Sequence, residues 1–126
     1  MSKFVKEKYD KEEPIKSGDL IAYWPQSDKV TRAILKDWRD SEDNRVIGIC
    51  TNVDNNNIQI TNSGITEVNV TGLICLGDRL SVCEKPGIAK AIRYSQDETK
   101  FRYRHIGKVI ELYNRYDRVK VLLDIE

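Results

Sequence analysis

The residue types that carry chemistry are sparse in this chain, and their spacing builds no reactive set. His105 is the single histidine. It stands in Arg102-Tyr103-Arg104-His105-Ile106-Gly107, an alternating segment in which an imidazole is a strand side chain and not the base of a nucleophile, base and orienter triad. Cys50, Cys75 and Cys83 are the three cysteines. Their odd number and wide spacing form neither a disulfide framework nor a Cys-x-x-Cys metal clip, so they are expected to be reduced, partly buried thiols. No Gly-x-Ser-x-Gly elbow, phosphate loop or Gly-x-Gly-x-x-Gly turn is present. Asp37 to Asn44 is acidic, but it lacks the alternating carboxylates and central Gly of a calcium loop and reads as a solvated loop. Asn69-Val70-Thr71 matches a glycosylation acceptor only formally. The expectation is a non-enzyme, with no catalytic residue, cofactor, metal or small-molecule substrate.

One segment has the composition of a nucleic-acid surface. Between Arg93 and Lys108, the cations Arg93, Lys100, Arg102, Arg104 and Lys108 are interleaved with Tyr94, Phe101 and Tyr103. Oligonucleotide-binding barrels stack bases on such aromatics and neutralise phosphates with such cations. The same pattern also describes a half-buried strand with Phe101 and Tyr103 inward and Arg102 and Arg104 in water. The whole chain carries 21 Lys+Arg against 20 Asp+Glu, a formal charge of +1. That balance lacks the cationic excess of a protein living on nucleic acid or an anionic membrane, and it favours the second reading.

The elements that must position these residues are strands. Ile and Val together supply 24 residues against 8 Leu and 4 Ala, and branching at Cβ suits a pleated surface better than a helix. Strand signals run over Leu20–Trp24, Lys29–Leu35, Arg45–Asn52, Asn57–Asn62, Glu67–Cys75, Arg79–Cys83, Ile88–Arg93, Phe101–Tyr113 and Arg118–Ile125. Turn chemistry separates most of them, notably at Ser17-Gly18-Asp19, Gly77-Asp78 and Pro86-Gly87. Short strands at such intervals predict an all-β barrel or sandwich. At 126 residues the expectation is one domain, with residues 1–14 as a charged N-terminal arm. The arm has neither a signal-peptide nor a transmembrane pattern.

Self-comparison gives the strongest organisational signal. Gly18-Asp19-Leu20 recurs as Gly77-Asp78-Arg79-Leu80, 59 positions on (77 − 18). Val30-Thr31-Arg32-Ala33-Ile34 aligns with Ile88-Ala89-Lys90-Ala91-Ile92, Val46-Ile47-Gly48-Ile49 with His105-Ile106-Gly107-Lys108-Val109, and Ile58-Gln59-Ile60 with Val119-Lys120-Val121. The chain therefore reads as two similar β-units, about residues 15–62 and 74–124, which bury their apolar faces against each other about a pseudo-twofold. In this reading Ile34, Ile47, Ile92 and Ile106 are core. Gly48 and Gly107 mark close backbone approach, and Asp19 and Asp78 accept local backbone N–H bonds.

Lys3-Phe4-Val5-Lys6-Glu7, Gly18-Asp19-Leu20-Ile21, Arg32-Ala33, Val46-Ile47-Gly48-Ile49-Cys50-Thr51, Pro86-Gly87-Ile88-Ala89-Lys90-Ala91 and Ile106-Gly107-Lys108-Val109 occur in an order that resembles a known family. It is the C-terminal β-domain of bacteriophage neck-appendage and tail-fibre proteins, of the intramolecular-chaperone, autoproteolytic type, and small capsid-decorating proteins share the same character. The resemblance implies a phage or prophage structural module that forms homo-oligomers, trimers first, or joins other virion proteins. Such a module resides in the bacterial cytoplasm before assembly and in the particle afterwards. Self-cleavage in that family uses a Ser on the N-terminal side; Ser2 sits in no recognisable cleavage motif, so no catalytic residue follows. Contacts are expected at Phe4, Val5 and Tyr9 of the arm and at Arg102, Tyr103 and Arg104.

Overall fold

The computed structural model describes residues 14–23, 30–33, 46–54, 57–92, 105–113 and 117–125, with residues 2–6 and 23 as backbone only. Ten strands are present among the described residues: β1 (Ser2–Lys6), β2 (Leu20–Tyr23), β3 (Val30–Arg32), β4 (Val46–Asp54), β5 (Asn57–Thr61), β6 (Ser63–Asn69), β7 (Arg79–Val82), β8 (Ala89–Ile92), β9 (His105–Leu112) and β10 (Arg118–Asp124). They form two antiparallel sheets. Among the described residues neither sheet closes on itself, so the architecture is sandwich-like and not a closed barrel. The described residues contain no helix long and apolar enough to cross a membrane.

The first sheet runs β1-β5-β4-β2-β3 and the second β6-β10-β9-β7-β8. Numbered within each set of five consecutive strands, the two orders are the same. Their registers correspond residue for residue. Ile21 lies opposite Gly48 on one side and Arg32 on the other, and Leu80 lies opposite Gly107 and Ala91. A bulge follows Ile21 in the first pairing and Leu80 in the second. Such a bulge adds twist where a strand must bend. Tyr23 pairs with Val30 and Val82 with Ala89, which places Ala89, not Ile88, in the position of Val30. The alignment of that strand from sequence was thus one residue out of step.

The N-terminal segment corrects a second expectation. Ser2–Lys6 is a strand, paired with β5 from Ser2↔Thr61 to Lys6↔Asn57, and β6 holds the matching edge of the other sheet from Ser63↔Asp124 to Asn69↔Arg118. The structural repeat therefore begins with β1 and with β6, not near residues 15 and 74, and each copy shows five strands among the described residues. Lys3 and Lys6, three positions apart, broke the period-two alternation by which a strand is recognised and hid β1.

Both copies fold around a Gly-Asp turn. The Asp19 carboxylate accepts the Lys16 N–H at 3.0 Å, and Asp78 accepts the Cys75 N–H at 2.7 Å. The turn is then sewn to the long strand: Gly18 N–H donates to the Cys50 carbonyl and Gly77 N–H to that of Val109, both over 2.8–2.9 Å. Glycine is required at both turns by φ values of 91° and 84°. Gly48 and Gly107 serve differently, by close packing. A Cβ on Gly48 would run into Ile60 Cγ2 and lie 2.7 Å from the Thr61 carbonyl oxygen, and one on Gly107 would run into the Leu122 carbonyl.

Two apolar clusters fill the interior. Ile15, Ile21, Val30, Cys50, Ile58 and Ile60 pack within the first sheet's own unit. The larger cluster joins Leu80, Val82, Ala89, Ile106, Val109, Val119 and Val121 of the second unit to Leu20, Ala22, Ala33, Val46 and Ile49 of the first. Of the expected core isoleucines, Ile106 is fully buried, Ile47 and Ile92 are half-buried, and Ile34 lies outside the described residues. Cys50 and Cys83 are buried, whereas Cys75 is exposed.

Candidate functional site

Only part of the expected contact set falls on described residues. Phe4 and Val5 lie on β1 opposite Gln59 and Ile58. Tyr9, Arg102, Tyr103 and Arg104 lie outside the described residues, as does most of the Arg93–Lys108 segment. Among the described residues no group of three or more His, Cys, Asp or Glu is placed to hold a metal ion. The feature with the most developed geometry is the joint between the two units, together with the place on the second unit that corresponds to it.

The joint begins with Leu20-Ile21-Ala22, an unbroken apolar run whose three side chains are all buried. A strand pleat sends alternate side chains to opposite faces, so such a run must be covered on both. Ile21 points into its own unit, while Leu20 and Ala22 point into the second. Backbone bonds fix the contact: Leu20 N–H donates to the Gly87 carbonyl at 2.9 Å, Gly87 N–H to Ala33 at 2.8 Å, and Asn69 N–H to Gly18 at 3.0 Å.

A polar clasp closes the edge of this joint. Arg118 Nε donates to Asn69 Oδ1 at 3.1 Å, and Asn69 Nδ2 in turn donates to Asp19 Oδ1 at 3.0 Å and to the Ser17 carbonyl at 3.1 Å. Arg118 also donates to the Ser17 carbonyl at 2.8 Å and meets Glu67 at 3.4 Å. The chain of donors has one direction, because a guanidinium can only donate and so presents the amide oxygen of Asn69 to itself and the amide nitrogen to Asp19. Asp19 is 1 % exposed. Burial pushes its carboxyl above the usual carboxylate range, and the N–H bonds from Lys16 and Asn69 and the charges of Lys16 and Arg32 pull it part of the way back.

The second unit's corresponding face has a different composition. The positions matching Leu20, Ala22, Ala33, Val46 and Ile49 are Arg79, Ser81, Ile92, His105 and Lys108, as the shared registers require. Arg79 and Lys108 are exposed, Ile92 and His105 half-buried, and Ser81 alone fully buried. Arg79, Ile92, His105 and Lys108 line an open cleft of about 610 Å³ with Leu122 and Asp124. His105 Nε2 stands 3.8 Å from Asp124 Oδ2. At the rim, a Cβ on Gly77 would meet open space, where one on Gly18 would press against the Asn69 amide. Leu76 beside it is 62 % exposed.

This face escaped the reading of the sequence, although the signal was there. Leu20-Ile21-Ala22 is continuously apolar, but Arg79-Leu80-Ser81-Val82 alternates. The difference between the two copies of one strand marks a face covered in one and open in the other. The units thus meet through unlike faces. A pseudo-twofold would cover Arg79 as it covers Leu20, and that part of the expected arrangement is replaced by a head-to-tail one. Comparison with family models, with curated proteins and with solved structures finds no match for the chain.

Proposed function

We propose that the protein is a non-enzymatic structural or assembly module of a phage or prophage particle, a tandem duplication of one five-stranded β-unit that works through protein–protein contacts. The observation that carries this reading is the joint: the unit is a building block whose one face has already been used to dock a second unit, by apolar packing and a polar clasp. The family resemblance supplies the particle, and a role in a tail appendage or on a capsid fits it. Homo-oligomers, trimers first, are the expected form, made in the bacterial cytoplasm and carried into the particle.

The test is to induce the particle from a strain carrying a tagged copy, purify it by density gradient, and quantify the chain by mass spectrometry against the major capsid protein. A fixed whole-number stoichiometry is the expected result. A chain that stays in the soluble lysate at every stage would overturn the reading.

A further inference from the structure

We propose that copies of this chain assemble by exchanging units: the first unit of one copy leaves its own second unit and docks on the second unit of another, through the same joint that closes the single chain. The proposal rests on the assembly reading above and adds to it the surface and the partner. Its first support is the partition of the strands. Among the described residues, the first sheet lies wholly within residues 2–61 and the second wholly within residues 63–124, and no strand is shared. Exchange therefore keeps every strand pairing and opens only the joint. The two faces of the joint already fit each other, whichever copy supplies them. Leu20, Val46 and Ile49 pack in one cluster with Leu80, Val82 and Ile106, and the bonds of Leu20 to Gly87 and of Asn69 to Gly18 and Asp19 re-form between copies as they form within one.

Its second support is the connector. β5 ends at Thr61 and β6 begins at Ser63, so Asn62 alone carries the chain from one sheet to the other. Two Cα steps span at most about 7.6 Å, which makes the corner tight. Thr61 Oγ1 donates across it to the Ser63 carbonyl at 3.0 Å, and Gly64 just beyond has a φ of 81°. Short hinges invite exchange, because the closed form must bend where the open form can run straight. Opened at Asn62, β5 and β6 follow one another as a single extended run over residues 57–69. The closed and exchanged forms share the joint and differ in this corner and in the entropy of bringing copies together, so the connector sets the balance between them. Reciprocal exchange closes at two copies and cyclic exchange at three.

Sedimentation velocity of the full chain, at concentrations from about one to about a hundred micromolar, tests the exchange. The wild-type chain is expected to form dimers or trimers. Inserting Gly-Ser-Gly-Ser after Asn62 is expected to raise the dissociation constant at least about tenfold with an unchanged melting temperature, since a relaxed connector lets each chain close on itself. A second measurement follows the joint itself. Asn69→Asp and Asp19→Asn chains, one of them isotopically labelled, are mixed and counted by native mass spectrometry. Exchange sets the new amide at position 19 of one chain against the new carboxylate at position 69 of the other, where Arg118 also donates, so the ratio of mixed to unmixed oligomers is expected to exceed the random one at least about threefold. A wild-type oligomer unchanged by the insertion, or random mixing of the two variants, overturns the exchange and leaves the assembly reading standing on another surface. A wild-type chain that is monomeric throughout removes both the exchange and self-assembly.

Discussion

Leu20 and Arg79 hold the same place in two copies of one β-unit, and their surroundings have nothing in common. Leu20 is fully buried between the units, on a face with Ala22, Ala33, Val46 and Ile49. Arg79 is exposed on a face with Ser81, Ile92, His105 and Lys108. The backbone is shared down to the bulge that follows in each strand, so the fold does not set the difference. The backbone needs only the inward set: Ile21, Cys50, Ile58 and Ile60 in one copy and Leu80, Val109, Val119 and Val121 in the other. The outward set is free to record what each face touches.

Exchanging the two residues puts the largest strain on that comparison. Leu20→Arg would bury a guanidinium among Ala33, Val46 and Ile49, and is expected to destabilise by about 3–5 kcal/mol or to unfold the chain. The reverse change, Arg79→Leu, is expected to stay within about 0.5 kcal/mol, as for exposed sites generally. Urea unfolding of the pair measures both. Equal losses would mean that the two faces are covered alike.

Next in size is the clasp. Asn69→Leu removes the amide that links Arg118 to Asp19 and leaves a buried carboxylate oxygen short of a donor, with an expected loss of about 1–3 kcal/mol. The sharper variant is Asn69→Asp, which sets a second carboxylate against Asp19 and should lose more than Asn69→Leu at neutral pH and regain part of the difference in acid. A neutral result for Asn69→Leu would show that the apolar joint holds without its polar rim.

The smallest effect is a pH dependence. Burial raises the Asp19 carboxyl above the ordinary aspartate value of 3.8, so the folded state binds this proton more tightly than the unfolded chain does. The stability gained from that proton is fully present below about pH 3.8, the unfolded value, and is lost as pH rises through the folded value. Melting temperatures of the wild type relative to Asp19→Asn are therefore expected to improve on acidification across that window. A gap that widens in the opposite direction would mean that the N–H bonds from Lys16 and Asn69 outweigh burial.

The strands, the Gly-Asp turns and the paired glycines were legible in the sequence because each has a local cause: β-branched alternation, a positive φ, a strand position without room for Cβ. β1 and β6 were not. Lys3 and Lys6 mask the one, and Gly64, the second residue of the other, has a φ of 81° and made its beginning look like a loop. The joint was missed for a different reason. Gly87, Asn69 and Arg118 meet Ser17, Gly18 and Asp19 across spans of about 50 to 100 positions, and nothing in the local spacing of Asn69 says that its amide will be oriented by an arginine. Only the contrast between the two copies carried that information, in the apolar run at Leu20 and the alternation at Arg79.

The pairing of β1 with β5 also bears on synthesis. Every strand of the first sheet lies within residues 2–61, so that sheet can form on the ribosome before β6 to β10 have left the exit tunnel. During that interval Leu20, Ala22, Val46 and Ile49 would lack the second unit that buries them in the finished chain. A nascent chain in which residues 2–61 have emerged and β6 to β10 have not is then a sticky intermediate, and polysomes crowded with such chains favour joining the wrong partners. Codon choice well downstream of Ser63, read while the first sheet is already outside the tunnel, sets how long the interval lasts and should affect the yield of soluble protein more than the same changes made upstream of Ser63.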